Sequence, residues 1–329
     1  MAADAWYLQS VKTCYEYGLM KGASAVAFNP DGVLSVAEAL VMADRVHGIF
    51  TDGESTLTNG TPWYQPYVDY ALEKGIIQAE DFSDYTAKVT RAQMAYIFYH
   101  SLPASALPAI NDVLSLPDVD ASALYSEEVF ALYDAGVLTG SDIYGTCKPD
   151  STITRAEAAA IISRVAIPAQ RKTFTLLKQQ TLGSEVVLAL PQGAQADSSS
   201  GIPTFLDLET GSGAIINSST DEAYRGMSIT LLSAAEMTEL LTSSFQASGL
   251  TLSDAVSTAV SFGAIKSYRT TGLFTDADGI KLQTVIYTYI SSSTMHMICL
   301  VAAEQSDPAL LQNMANYLSV ASCTVSPKL

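Results

Sequence analysis

Positive charge is what this sequence has least of: 17 lysines and arginines face 34 aspartates and glutamates in 329 residues, a formal net charge of -17. A surface so negative repels phosphate backbones and anionic lipid at long range, which argues against nucleic acid and membrane surfaces as partners. An anionic ligand therefore has to be held by a local site. Cysteine is also scarce. The four thiols, Cys14, Cys147, Cys299 and Cys323, are too few and too scattered for a disulfide framework and lack the close pairs of zinc or redox sites. Buried thiols are the expectation, with a Cys299–Cys323 bridge as the exception. Long apolar runs are missing: nothing approaches the roughly 20 residues of a membrane helix. The start, Met1-Ala2-Ala3-Asp4, has no basic region followed by an apolar run. The expectation is that a secretion signal has been removed and Met1 added for expression. No H-E-x-x-H, nucleotide-binding glycine loop or G-x-S-x-G elbow occurs. No catalytic residue, metal site or cofactor is expected, and the chain is read as non-enzymatic.

What is present is apolar. A hydrophobic content of 48% with only 16% charged residues argues for packed domains, and the length for two of them. Residues 1–169 carry 9 Lys and Arg against 21 Asp and Glu, residues 170–329 carry 8 against 13, so the first half is the acidic one.

Three segments of that half repeat one order of features, with a period near 60 residues. The first runs from Trp6 through Gly18-Leu19-Met20 and Phe28-Asn29-Pro30-Asp31 to Ser35-Val36-Ala37-Glu38. The second runs from Trp63 through Gly75-Ile76-Ile77 and Phe82 to Thr90-Arg91-Ala92-Gln93. The third runs from Leu124 through Gly136-Val137-Leu138 and Lys148-Pro149-Asp150 to Thr154-Arg155-Ala156-Glu157. Twelve residues separate the opening residue from its glycine each time, and apolar residues recur between them at helical spacing. Each repeat thus opens with a helix that a left-handed glycine ends. The later tetrapeptide, Ser or Thr with Glu or Gln three positions on, is a capping box and starts a second helix. In that frame Arg91 and Arg155 are first helical residues, beside free N–H groups and the positive end of the helix dipole, an anion-binding geometry.

This order of features resembles the S-layer homology family, whose signature Thr154-Arg155-Ala156-Glu157 matches letter for letter, Thr90-Arg91-Ala92-Gln93 nearly, and Ser35-Val36-Ala37-Glu38 without its arginine. The resemblance implies an all-α prism of three repeats at 1–50, 51–110 and 111–169, with grooves between neighbours. It implies a ligand too: the secondary polysaccharide of a bacterial cell wall, often bearing a pyruvyl ketal whose carboxylate a guanidinium fork would hold. The protein would then sit outside the cell, anchored to the wall. Arg91 and Arg155 are the first candidates for binding, a surface ion pair being the other reading of each. Trp63 and Trp6 would offer apolar platforms for a sugar face, although burial is the ordinary expectation for tryptophan. Thr90, Thr154, Gln93 and Glu157 are caps first and groove residues second. Val36 predicts that the first motif contributes least.

After Ile167-Pro168 the composition turns to Ser, Thr and β-branched residues, and residues 170–329 read as an α+β domain with an antiparallel sheet. Strands are expected at 173–178, 185–190, 203–208, 213–217, 226–232, 264–275, 280–291 and 294–303. Asp276-Ala277-Asp278-Gly279 forms a hairpin turn between two of them. Helices are expected at 233–247, opened by the capping box Ser233-Ala234-Ala235-Glu236, at 251–262 and at 307–321. This order is similar to the PsbP-like fold, which implies a binding or scaffolding module with a possible protein partner. Two alternatives stay open: a wall-targeted enzyme with its activity in this domain, and a protein–protein scaffold whose repeats no longer bind sugar.

Overall fold

Ser35, Thr90 and Thr154 each hold extended backbone, with ψ of 160° to 165°, and a helix starts at the next residue. These are the three long helices of the first half: α2 (Val36–Asp52), α4 (Arg91–His100) and α6 (Arg155–Ala166). All three capping boxes are closed in both directions. The hydroxyl accepts from the third helical N–H at 3.2–3.3 Å, and Glu38, Gln93 or Glu157 accepts from the cap's own N–H at 2.8–2.9 Å. The opening helices are α1 (Leu8–Glu16), α3 (Gln65–Glu73) and α5 (Ser126–Asp134). The chain leaves each through Gly18, Gly75 or Gly136, at φ of +68° to +69°, a conformation that costs glycine little. In this computed structural model, residues 4–320 are described except 25, 183–185, 198, 200, 276 and 277.

The chain forms two compact units, Met1–Phe174 and Thr175–Leu329. The first is helical and closes on itself. Just before the three long helices, isolated antiparallel bridges join Ser35 to Lys88, Thr90 to Thr152 and Thr154 to Val33, so each repeat is bonded to the next and the third to the first. Helix α3 packs on α2, α5 on α4 and α1 on α6, while α2, α4 and α6 meet pairwise at the centre. These helices bury apolar side chains, Leu40, Ala43, Ala95, Ile97, Phe98, Ala159 and Ile162 among them, together with the polar Asp44 and Ser163.

The second unit is an α+β domain built on an antiparallel sheet of seven strands in the order β3-β4-β5-β9-β8-β7-β6. The strands are β3 (Gln195–Asp197), β4 (Thr204–Asp207), β5 (Ser212–Thr220), β6 (Thr251–Phe262), β7 (Ile265–Thr275), β8 (Lys281–Ser291) and β9 (Thr294–Ala303). A smaller sheet joins β1 (Leu177–Leu182) and β2 (Val186–Pro191) to β10 (Ser319–Val320). Helix α7 (Ala234–Ala247), with its Ser233–Glu236 box closed, lays Met237 and Leu241 against Leu252, Tyr268, Ile286 and Val301. Helix α8 (Pro308–Asn316) packs on β2, β8 and β9.

Three expectations fail here. Residues 251–262 are strand β6, not helix. They pair along their length with β7 through the two-residue turn Gly263-Ala264, and the β-branched Thr251, Val256, Thr258 and Val260 suit a pleated edge better than a helix. Residues 226–232 are not a strand; they hold a capped turn of 3-10 helix, Ile229–Leu231, which follows another at Glu222–Tyr224. The first strand starts at Leu177, four residues later than the composition suggests. Cys14, Cys147 and Cys299 are free and buried. Burial pushes the Cys14 thiol up to about 12 and the Cys299 thiol up to about 11, which makes both inert near neutral pH. Cys323 and the first half of the 276–279 turn lie outside the described residues.

Candidate functional site

Arg91, the first residue of α4, reaches into the neighbouring repeat. Its Nε donates to the Cys147 carbonyl at 2.6 Å and its Nη1 to Glu157 Oε1 at 3.0 Å. Arg155, the first residue of α6, does the same one repeat further round. Its Nε donates to the Phe28 carbonyl at 2.9 Å and its Nη2 to the Lys21 carbonyl at 2.6 Å, with the guanidinium 4.9 Å from the centre of the Phe28 ring. Cys147 and Phe28 occupy matching places. Each precedes a residue at positive φ, Lys148 at +57° and Asn29 at +55°, and then Pro-Asp.

The free N–H groups expected beside these arginines are not free. At α4 the N–H groups of Arg91 and Ala92 donate to the Ser151 and Pro149 carbonyls, at 2.9 and 3.0 Å. At α6 those of Arg155 and Ala156 donate to Gly32 and Pro30, at 2.8 and 3.0 Å. At α2 those of Val36 and Ala37 donate to Ala87 and Tyr85, at 3.0 and 2.8 Å. With the third N–H on its cap hydroxyl, the first three N–H groups of α2, α4 and α6 are all taken, two at each helix by cross-repeat bonds. The hydrogen-bond donors still available there are side chains.

Two open grooves result. One, of about 250 Å³, is bordered by Arg91, Lys148, Glu157, Arg164 and Trp6. The other, of about 330 Å³, is bordered by Arg155, Lys21, Glu38, Arg45 and Trp63. Counted from the capping residue, Glu157 and Glu38 stand at the third position, Ala160 and Val41 at the sixth and Arg164 and Arg45 at the tenth, one face of a helix. Arg164 donates to the Val137 carbonyl at 3.0 Å and Arg45 to the Leu19 carbonyl at 3.1 Å, in each case the residue just after the helix-ending glycine. Burial lowers the pKa of both, and of Arg155, whose charged form Glu38 favours through space.

The tryptophans overturn the expectation of burial. Trp6 is 67% exposed and Trp63 41%, and each stands in the turn before its opening helix. Arg91, Glu157 and Trp6 thus meet in one groove, and Arg155 and Trp63 in the other. Thr90 and Thr154 act as caps, and Gln93 caps α4 away from both grooves. Sequence reasoning missed Arg45, Arg164, Glu38, Lys21 and Lys148. The ten-residue offset of the two arginines from Ser35 and Thr154 was the available signal.

In the second unit, His296 on β9 has a side-chain partner on β5. Ser218 Oγ on β5 lies 3.0 Å from its Nδ1, and the Tyr289 ring stacks on it at 4.8 Å. No group of three or more His, Cys, Asp or Glu placed to hold a metal occurs among the described residues.

Residues 2–40 and 115–159 match the family model of the S-layer homology domain. Over 123 residues, 34% of this chain and 10% of the other, the chain is 27% identical to the surface-layer 125 kDa protein of Lysinibacillus sphaericus. Over 166 residues, 49% of this chain and 20% of the other, it is 24% identical to the S-layer protein sap of Bacillus anthracis. The matches therefore span a tenth to a fifth of the length of these curated relatives. Cyanobacterial PsbP from Synechocystis is similar over 45% of this chain and 94% of its own, at 15% identity and a TM-score of 0.35.

Proposed function

We propose that this chain, which carries S-layer homology repeats, is held at a bacterial cell surface by its first unit, whose two grooves bind an acidic wall polysaccharide. One observation carries the reading. In a chain of net charge -17, each groove sets three cationic side chains and a single carboxylate around an exposed tryptophan. Local charge of the opposite sign to the whole molecule is what capture of an anion requires. The guanidinium suits a carboxylate, such as that of a pyruvyl ketal, and an indole face suits the apolar side of a pyranose ring. The second unit is then the module that the anchor displays, with no catalytic role assigned to it.

The test is retention of the full chain on purified wall sacculi before and after chemical removal of pyruvyl groups, with the double variant R91A/R155A beside it. Retention lost by depyruvylation and by the double variant is the expected result. Retention unchanged by both overturns the reading. The wall-active enzyme is favoured by one observation only, the Ser218–His296 contact of 3.0 Å. Labelling of Ser218 by a fluorophosphonate would establish it as a nucleophile, and no labelling is expected.

A further inference from the structure

Pseudo-threefold closure defines a third groove, between the first and second repeats, in which α4 supplies the wall and Val36 stands where the other two have an arginine. At each offset from the cap that builds the open grooves, this one differs. The third position is Gln93 where they have Glu157 and Glu38; the sixth is Tyr96 where they have Ala160 and Val41; the tenth is His100 where they have arginine. Asp84 stands in the place of Lys148, and Leu124 in the place of the tryptophans.

The Tyr96 ring stands at the position from which the smaller Ala160 and Val41 line the open grooves. It packs 4.8 Å from Tyr125 and is anchored by its hydroxyl, which donates to Asp81 Oδ2 at 2.6 Å. Burial, then Asp81, pushes its phenol up, so it stays a neutral donor. His100 is held by Glu128 at 3.0 Å. Lys88 donates to the Val33 carbonyl at 3.2 Å. Where the open grooves carry arginines and Lys148, this face carries Asp84, a neutral Tyr96 bonded to Asp81, and His100 paired with Glu128.

We infer that the anchoring unit binds two anionic saccharides per chain, not three, and that Tyr96, stacked on Tyr125, is the residue that shuts the third groove. This rests on the anionic-ligand reading of the other two. The experiment is calorimetric titration of the full chain with a pyruvyl-ketal methyl glycoside. Two sites per chain are expected, with R91A weakening one of them and R155A the other. Quenching of Trp6 and Trp63, read separately in the W63F and W6F variants, accounts for both. Reopening the third groove with V36R/D84K/Y96A, checked for folding by circular dichroism, is expected to raise the count to three. Three sites in the unaltered chain, or only one, overturn the inference and leave the anchor standing. Absence of binding to the unaltered chain removes the anchor and this inference with it.

Discussion

The Arg91 and Arg155 grooves use the same residue types at the same offsets, yet their arginines differ in available charge. Arg91 is paired at 3.0 Å with Glu157, whose side chain is 36% exposed. Among the described residues Arg155 donates to two carbonyl groups and stacks on Phe28, while Glu38 acts on it through space. A carbonyl orients a guanidinium without neutralising it, whereas a carboxylate does both and has to be displaced or shared when a second carboxylate arrives. The difference teaches that a repeated motif fixes where a cation stands, and its neighbours fix how much of that cation a ligand meets.

The comparison breaks first on the arginines themselves. Arg155→Ala is expected to weaken binding to wall polysaccharide about tenfold or more, the effect of losing one or two charge-assisted hydrogen bonds. Arg91→Ala should weaken it less, and isotherms of the two single variants that reverse this order would refute the difference drawn above. Glu157→Gln sharpens it in the other direction. Gln93 is already a working partner in the α4 capping box, so the cap survives, Arg91 loses its counter-charge and binding should tighten several-fold, whereas Glu38→Gln changes little.

Thr154→Ala acts on both grooves at once, because one box positions Arg155 in one and Glu157 in the other. A loss of about 1 kcal/mol in stability, seen as a lower melting temperature, should accompany weaker binding at each. The smallest effect concerns Asp44, which stands where α6 has Ser163 and whose carboxylate accepts from Ser55 at 2.7 Å. Burial raises its pKa, so the fold favours the protonated form. Its contribution to stability is present below the unfolded value of about 3.9 and lost as the pH rises through and above it. Asp44→Asn should therefore stabilise the protein near pH 7 and be neutral below about pH 4, as followed by urea unfolding at the two pH values.

What was legible in the sequence was local. Glycine stops and capping boxes act within four residues, so six helix positions and the first residues of α4 and α6 followed from spacing alone. The partners of Arg91 and Arg155 lie 56 to 134 residues away, and no local pattern reports that Ser151 or Gly32 will take up a helix N–H. Strand β6 was misread for a related reason. Leu252, Val256, Ala259 and Val260 share a helical face, but the pairing with β7 decides, and its sign was the short Gly263-Ala264 turn rather than any periodicity. The exposed tryptophans went unread because burial is the usual fate of that side chain, and only the turn geometry before α1 and α3 sets it aside.

The bridge between Val33 and Thr154 has a consequence for how the first unit forms. An open stack of repeats gains stability one neighbour at a time and frays from its ends. Here the first and third repeats hold each other, through Leu34 to Ile153 at 3.2 Å, Cys14 to Ala159 at 3.3 Å and Arg155 to Phe28, across as many as 145 residues of chain. Contacts of such span are slow to close, and once closed they leave no terminal repeat to peel away. The ring is therefore expected to yield in a single cooperative step rather than one repeat at a time.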